Sequence, residues 1–426
     1  MIDINLIRET PQLVKENIKK KFQNEKLPLV DEAVKLDSQI RKLKTEAQEL
    51  RAERNTLSSR INEAKKTNKD VMPILEKAKR IPDQIKTLED EEAKLTNVLT
   101  SIMHKIPNFI SKKTPSGKDA SQNKEISKGG KIIKFTFPIK THVELAEHLN
   151  IADFDSSAKV SGKGFYYLKG DLALLNQALI RFAIDFMVKK KYQYIEAPLM
   201  LNAQSIFASM DKNAIEQSVY SIKEEDLNLI GTAEQSLLAM HSNETIPESE
   251  LPKKYFSYSM CFRKELGAHG INEKGLWRTH QFNKIEQFIF CKPEDSEKLY
   301  EELLKNSEEI LKKLDLPYRV LEICTGDLAD WKFRSADLEV YRPTTKEYGE
   351  VMSLSNCTDY QARKLNIKCT DSKGNKRVLH TLNDTALATS RILVAILENN
   401  QNKDGSITIP KVLVPYMRKN KITRGV

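Results

Sequence analysis

Apolar residues Leu36, Ile40, Leu43, Ala47, Leu50, Leu57, Ile61 and Ala64 recur at alternating spacings of four and three, with Arg54 filling the one polar position. A period of 3.5 fits one regular structure, a helix whose apolar seam packs on another helix. A second seam follows at Ala78, Ile81, Ile85, Leu88, Leu95, Leu99 and Ile102, interrupted by Glu92. Between them lies the polar, turn-like run Lys65-Lys66-Thr67-Asn68-Lys69-Asp70. The pattern predicts an antiparallel coiled-coil helical hairpin over about 28–103. At ~1.5 Å per residue the arm is on the order of 50 Å long, too long for the flank of a compact domain. Pro82 predicts a kink in the second helix or a late start to it. The tip carries Arg60, Lys65, Lys66, Lys69, Lys77, Lys79 and Arg80 against Glu63, Asp70 and Glu76. Two readings fit: a spacer or oligomerisation arm with solvated charges, or a lever presenting basic groups to RNA, which is gripped through shape and phosphate.

The rest of the chain is bounded by its composition. At roughly 100–200 residues per domain, 426 residues make two or three domains. Mean hydropathy is −0.50, and no apolar run approaches the ~18–20 residues that span a bilayer. The opening Met1-Ile2-Asp3-Ile4-Asn5-Leu6-Ile7-Arg8 lacks a basic-then-apolar leader layout. Five cysteines, an odd number without a CxxC pair, argue against a disulfide framework and against a structural zinc site. A cytoplasmic protein without membrane attachment is expected. The net charge of +10 is uneven: residues 104–134 carry +6 and the last nine carry +4. Pro107, Pro115, Gly117, Gly129 and Gly130 mark the first of these segments as a boundary. The expected domains are therefore 1–110, a basic linker 111–134, and 135–426. Such charge suits a polyanionic partner or Lys-rich solvated linkers.

Beyond the linker, residues 171–191 read as a helix with Leu172, Leu175, Leu179, Phe182, Ala183 and Phe186 on one face. Tyr192 to Pro198 reads as a strand stopped by proline, and strand patterns recur near 255–263, 278–290, 318–324, 336–341 and 348–354. Helices are expected over 295–314 and 386–398. Strands grouped between long helices predict an α+β domain with a mostly antiparallel sheet flanked by helices. Neither GxGxxG nor GxxxxGK[ST] occurs, which excludes Rossmann and P-loop nucleotide sites.

Three clusters carry chemistry. Cys261-Phe262-Arg263-Lys264-Glu265 and Arg278-Thr279-His280-Gln281-Phe282-Asn283-Lys284-Ile285-Glu286 flank a Gly-punctuated loop. A hairpin would set Arg263 and Glu265 opposite Arg278, His280, Phe282, Lys284 and Glu286. An Arg beside a flat ring suits phosphate and base, though surface ion pairs across a hairpin fit as well. The second is Thr381 to Arg391, where a lone Arg391 in an apolar helix needs an anionic or π partner, or snorkels to the surface. The third is Glu350-Val351-Met352-Ser353, a carboxylate and hydroxyl that would suit Mg²⁺ between phosphates.

In their order along the chain these residues resemble the seryl-tRNA synthetases, class II aminoacyl-tRNA synthetases. Tyr194-Ile195-Glu196-Ala197-Pro198 looks like motif 1, Phe262 to Phe282 like motif 2, and Ala388-Thr389-Ser390-Arg391 with Leu397-Glu398-Asn399 like motif 3. Thr232-Ala233-Glu234, Ser355-Asn356-Cys357-Thr358-Asp359 and Ile409-Pro410-Lys411-Val412-Leu413 are similar to family-specific runs, and the hairpin resembles the family's tRNA-binding arm. The likeness is to the bacterial-type group, its archaeal members included.

The resemblance implies ATP-dependent attachment of L-serine to tRNA-Ser through seryl-adenylate, and to tRNA-Sec where present, by a homodimer using ATP and Mg²⁺. Arg263, Glu286 and Arg391 are the implied catalytic residues. ATP would meet Arg263, Lys264, Glu265, Arg278, Phe282, Glu350, Val351, Met352, Ser353 and Arg391, with Glu350 and Ser353 on Mg²⁺. Serine would meet Thr232, Ala233, Glu234, Arg263, Glu286, Asn383 and Thr385, with Glu286 facing its ammonium group. The basic tip of the arm would meet tRNA. The chain departs from the common bacterial pattern at Asn383-Asp384-Thr385-Ala386, where many members have Asn-Gly-Ser-Gly, at Ser390, at Met352 and over residues 329–334. A serine ligase loading a carrier protein and a non-catalytic RNA-binding relative are the alternatives.

Overall fold

The computed structural model describes every residue except Lys69, Ala268, His269, Asn272, Gly425 and Val426. The chain forms two compact units, Met1–Pro107 and Asn108–Val426.

In the first unit, short helices α1 (Ile4–Glu9) and α2 (Pro11–Lys20) precede α3 (Leu27–Lys66) and α4 (Met72–Met103). The 40 residues of α3 make an arm of about 60 Å at 1.5 Å per residue. The heptad seam closes as its spacing requires: Leu36, Ile40, Ala47, Leu57 and Ala64 are buried in α3, and Ile81, Ile85 and Ile102 in α4. Ion pairs Lys44–Glu92, Arg51–Glu89 and Glu53–Lys77 cross between the helices with opposed numbering, as an antiparallel pair demands. Glu92, one of the two polar seam positions, thereby finds its cation at 3.4 Å. Pro82 does not start the helix. That role falls to Pro73 in the first turn, where a missing N–H costs nothing, and α4 continues through an exposed Pro82. Arg60, Lys65, Lys66, Lys79 and Arg80 are exposed at the tip, while Lys77 is taken by Glu53. Lys69 lies outside the described residues.

The second unit is built on an eight-stranded sheet. Its strands are β1 (Lys124–Gly129), β2 (Gln193–Tyr194), β3 (Lys253–Phe262), β4 (Gln281–Cys291), β5 (Tyr318–Glu322), β6 (Arg334–Arg342), β7 (Glu347–Thr358) and β8 (His380–Ala388). The order is β1-β5-β6-β7-β8-β4-β3-β2, antiparallel throughout except for the outer β2–β3 pair. Helices α5 (His142–Leu149), α6 (Gly170–Lys189), α7 (Ala233–Ala239), α8 (Ser296–Lys313) and α9 (Thr389–Asn399) accompany it. The α+β class and the antiparallel sheet are as the sequence predicts.

Three local expectations change. The segment 111–134 is more than a linker, because β1 within it pairs with β5 and completes the sheet edge. The strand expected from Tyr192 to Pro198 shrinks to β2, with Ile195 N–H donating one further bond to the Phe256 carbonyl. The last helix starts at Thr389 rather than Ala386, since Leu387 and Ala388 are still held in register with Ile285 and Lys284.

Period-two alternation divides the sheet's side chains between two faces. One face, with Ile285, Ile289, Leu338, Leu354 and Leu382, packs on α6, α8 and α9 in the main core. On the other, Tyr255, Phe288 and Phe290 pack at one end with Leu237 and Leu238 of α7. The remainder of that face is open.

Candidate active site

The open part of the sheet is a cleft of about 520 Å³. At one end stand the cationic residues. β3 stops at Phe262 and β4 starts at Gln281, so Arg263, Glu265 and Arg278 occupy the turns beyond the strand ends rather than a continuous ladder. Arg263 Nε donates to the Gly231 carbonyl at 3.1 Å, and its guanidinium lies 5.2 Å from the centre of the Phe282 ring. Arg278 donates to Glu265 at 2.6 Å. Alternation holds for Phe282, Lys284 and Glu286 but fails at His280. That ring turns away to pack on Phe165, with Nδ1 at 2.9 Å from the Arg263 carbonyl oxygen. Lys264, whose backbone N–H donates to the Ser218 carbonyl, is not among the cleft-lining residues.

Arg391, in the first turn of α9, does not snorkel. Its Nη1 donates to the Glu350 carbonyl oxygen at 2.6 Å and to Glu350 Oε2 at 3.2 Å, and its Nε donates to the Trp277 carbonyl at 3.2 Å. Burial would raise the Glu350 carboxyl, but the Arg391 charge and hydrogen bond, with Arg263 and Lys332, hold it below its ordinary value. Glu350 is therefore ionised at neutral pH. Val351, Met352 and Ser353 line the cleft beside it. Ser353 Oγ accepts from Lys332 Nζ at 3.4 Å, and Lys332 also donates to Ser335 Oγ at 3.1 Å. A carboxylate kept charged and a hydroxyl are both oxygen donors and would suit a Mg²⁺. Among the described residues no group of three or more His, Cys, Asp or Glu gathers for a metal.

The other end is small and polar. Thr232 caps α7, its Oγ1 accepting from Glu234 N–H at 3.3 Å. Glu234 Oε1 accepts from Gln361 Nε2 at 2.8 Å and from Asn383 Nδ2 at 3.1 Å. Burial, and then the charge of Glu286, raise the Glu234 carboxyl. Glu286 is itself 1 % exposed and lies beneath the cleft surface, where Lys284 Nζ sits 2.5 Å from its carboxylate and Thr232 Oγ1 donates at 2.9 Å. Asn383 and Thr385 of β8 line the same end. Ala233 does not: as the first residue of α7 it is fully buried under the cleft.

Lys284, Trp277 and Lys332 line the cleft without a role having been expected of them from the sequence. Lys284 shares the alternation of Phe282 and Glu286 and was legible there. Trp277 backs Arg391 at 5.5 Å, its only sequence signal being a large ring next to Arg278. Lys332 meets Ser335 three residues along the chain, but Ser353 reaches it only through the β6–β7 pairing, which no local pattern encodes.

Residues 1–110 match the family model of the seryl-tRNA synthetase N-terminal domain, and residues 218–400 match that of the tRNA synthetase class II core domain (G, H, P, S and T). The serine--tRNA ligase of Methanocella arvoryzae is 46 % identical over 419 residues, 98 % of this chain and 99 % of that one. The crystal structure of seryl-tRNA synthetase from Pyrococcus horikoshii complexed with ATP superposes with a TM-score of 0.94 at 39 % identity, covering all of both chains. The cytoplasmic serine-tRNA ligase of Naegleria fowleri in complex with AMP gives 0.89 at 29 % identity, covering 100 % of this chain and 99 % of that one. Sequence and fold thus agree with these relatives along the whole length, and the chain belongs to the seryl-tRNA synthetase family of serine--tRNA ligases.

Proposed function

We propose that ATP and serine meet in the one cleft, with the nucleotide at the Arg263–Phe282–Arg391 end and the amino acid at the Thr232–Glu234–Asn383–Thr385 end. The observation that carries this is the make-up of the cleft's lining: the guanidiniums of Arg263, Arg278 and Arg391 with the rings of Phe282 and Trp277 at one end, and small polar groups with the Glu234 carboxylate at the other. A serine carboxylate oxygen attacks the α-phosphorus; the new O–P bond forms as the bond to the β-phosphate oxygen breaks, and its electron pair leaves with pyrophosphate. A ribose hydroxyl at the tRNA 3′ end then attacks the seryl carbonyl, loses its proton, and AMP departs. Arg263 and Arg391 oppose the charge that builds on the phosphates, and the remaining gain is positioning. Glu350 and Ser353 would hold Mg²⁺, which supplies further charge neutralisation between phosphates. Glu286, beneath the lining with Lys284 and Thr232 as its present partners, supplies negative charge under the serine ammonium group.

The exposed basic tip of the hairpin takes tRNA-Ser, with tRNA-Sec a second substrate where present. A homodimer is supported by the sheet's outer strand β2, whose Tyr194 is exposed, together with Val188 on the last turn of α6. No helix among the described residues is long and apolar enough to cross a membrane, and the proposed location is the cytoplasm. The test is transfer of labelled serine to a tRNA-Ser transcript with ATP and Mg²⁺, beside a tRNA-Leu control. Charging of tRNA-Ser alone is expected. Serine-dependent pyrophosphate exchange without charging would replace tRNA by a carrier protein, and neither activity would refute the catalytic reading.

A further inference from the structure

Behind the serine end of the cleft, on the opposite face of the sheet, a carboxyl is buried in the main core. Asp384 is fully buried between Asn383 and Thr385, and alternation turns it away from the cleft. In the β8–β4 register it stands directly opposite Gln287, as Thr385 stands opposite Glu286. Gln287 Nε2 donates to Asp384 Oδ2 at 2.9 Å, and Ser307 Oγ of α8 lies 2.6 Å from the same oxygen and 3.2 Å from the Thr385 carbonyl. Asn306 Nδ2, also of α8, donates to Gln287 Oε1 at 3.1 Å. Burial drives the Asp384 carboxyl well above its ordinary value.

A polar network in an apolar core is expensive, and fully buried carboxyls are worth keeping where they fix one geometry. The two sheet residues of this network adjoin the serine end of the cleft: Gln287 follows Glu286, and Asp384 separates Asn383 from Thr385. We propose that Asp384 and Gln287, anchored to α8 by Ser307 and Asn306, form a positioning clasp that sets the spacing of β4 and β8 and hence the fit of the pocket to serine. The clasp rests on the reading of Glu286, Asn383 and Thr385 as the serine pocket. Neither clasp residue touches substrate.

Serine-dependent pyrophosphate exchange on Asp384→Asn, Asp384→Ala, Ser307→Ala and Glu286→Ala tests it. Asn keeps an acceptor oxygen for both Gln287 and Ser307 and should hold the KM for serine within about twofold of the parent. Asp384→Ala removes the acceptor that Gln287 and Ser307 share, leaving Gln287 Nε2 on Ser307 Oγ at 3.0 Å and Ser307 Oγ on the Thr385 carbonyl, so β4 and β8 lose their direct side-chain link. That substitution should raise the serine KM by about tenfold or more, leave the ATP KM within about twofold, and lower the preference for serine over threonine. Ser307→Ala, which removes one anchor, should do the same to a smaller degree and serves if Asp384→Ala does not fold. Equal effects of Asp384→Ala on both KM values, or none on serine, would overturn the clasp. Loss of activation in Glu286→Ala beside a parent-like Asp384→Ala would refute the clasp alone; full activity in Glu286→Ala would refute the pocket reading itself.

Discussion

Glu398 is wholly buried in α9 and yet charged. Its carboxylate faces His142 Nδ1 of α5 at 2.9 Å, Arg342 Nη2 at 3.1 Å and Thr344 Oγ1 at 2.6 Å. Arg342 in turn covers the Trp277 ring at 4.4 Å, and the Trp277 carbonyl receives Arg391. His142 Nε2 accepts the Leu276 N–H at 3.2 Å, which leaves the ring proton on Nδ1 for Glu398. The packing is close enough that a Cβ on Gly275, at φ +144°, would come 2.5 Å from His142 Nε2. One carboxylate thus ties the loop before β4 to the helix that carries Arg391. Burial would raise its titration point, but the bonds from His142, Arg342 and Thr344 hold it at about 2, against an ordinary 4.5. The folded value is depressed, so the stabilisation is complete above 4.5 and is lost as pH falls toward 2, and it amounts to about 3 kcal/mol at neutral pH. Glu398→Gln should therefore lower stability in urea at pH 7, and the gap to the parent protein should narrow by about 1 kcal/mol at pH 3.5. A gap that does not change with pH would show that the carboxylate charge contributes nothing.

At the scale of elements, the arm is held by little besides its seam. Leu57, Ile81 and Ile85 form its buried cluster, with Leu50, Ile74 and Ala78 packed around them. The cross-helix ion pairs are mostly exposed and add at best ~1 kcal/mol each. Leu57→Ala should cost about 2–4 kcal/mol locally, read as faster amide exchange in α3 and α4 with serine activation unchanged; protection equal to the parent's would show that the seam is not what holds the arm. This element was legible because a period of 3.5 over eight or nine positions admits one structure. The sheet strands were legible in kind, since alternation marks them, but not at their ends. His280 leaves the alternation because its neighbours Phe165 and Tyr220 come from distant segments, and β1 was hidden because only β5 makes a Lys- and Ser-rich run into a strand. In the cleft, the cluster around motif 2 and Arg391 was readable as residue types. Their partners Trp277, Glu350 and Lys332 depend on pairings between strands far apart in sequence, and no local pattern encodes those.

The molecule as a whole divides its labour between two compact units. The cleft, with all the residues proposed to handle ATP and serine, lies in Asn108–Val426, whereas Arg60, Lys65, Lys66, Lys79 and Arg80 lie exposed at the tip of the other unit. Small-molecule chemistry and RNA binding should then separate cleanly under mutation. Replacing these five residues by Ala removes no buried contact, so the fold and serine-dependent pyrophosphate exchange should stay at parental levels. Aminoacylation should lose kcat/KM for tRNA by tenfold or more, with the loss shrinking at high salt because phosphate contacts act through counterion release. The slope of log affinity against log salt should flatten by roughly 0.7–0.9 for each phosphate contact removed. Unchanged charging together with an unchanged salt slope would take the tip out of tRNA recognition and return the arm to a spacer. A parallel loss of pyrophosphate exchange would instead show that the two units do not work independently.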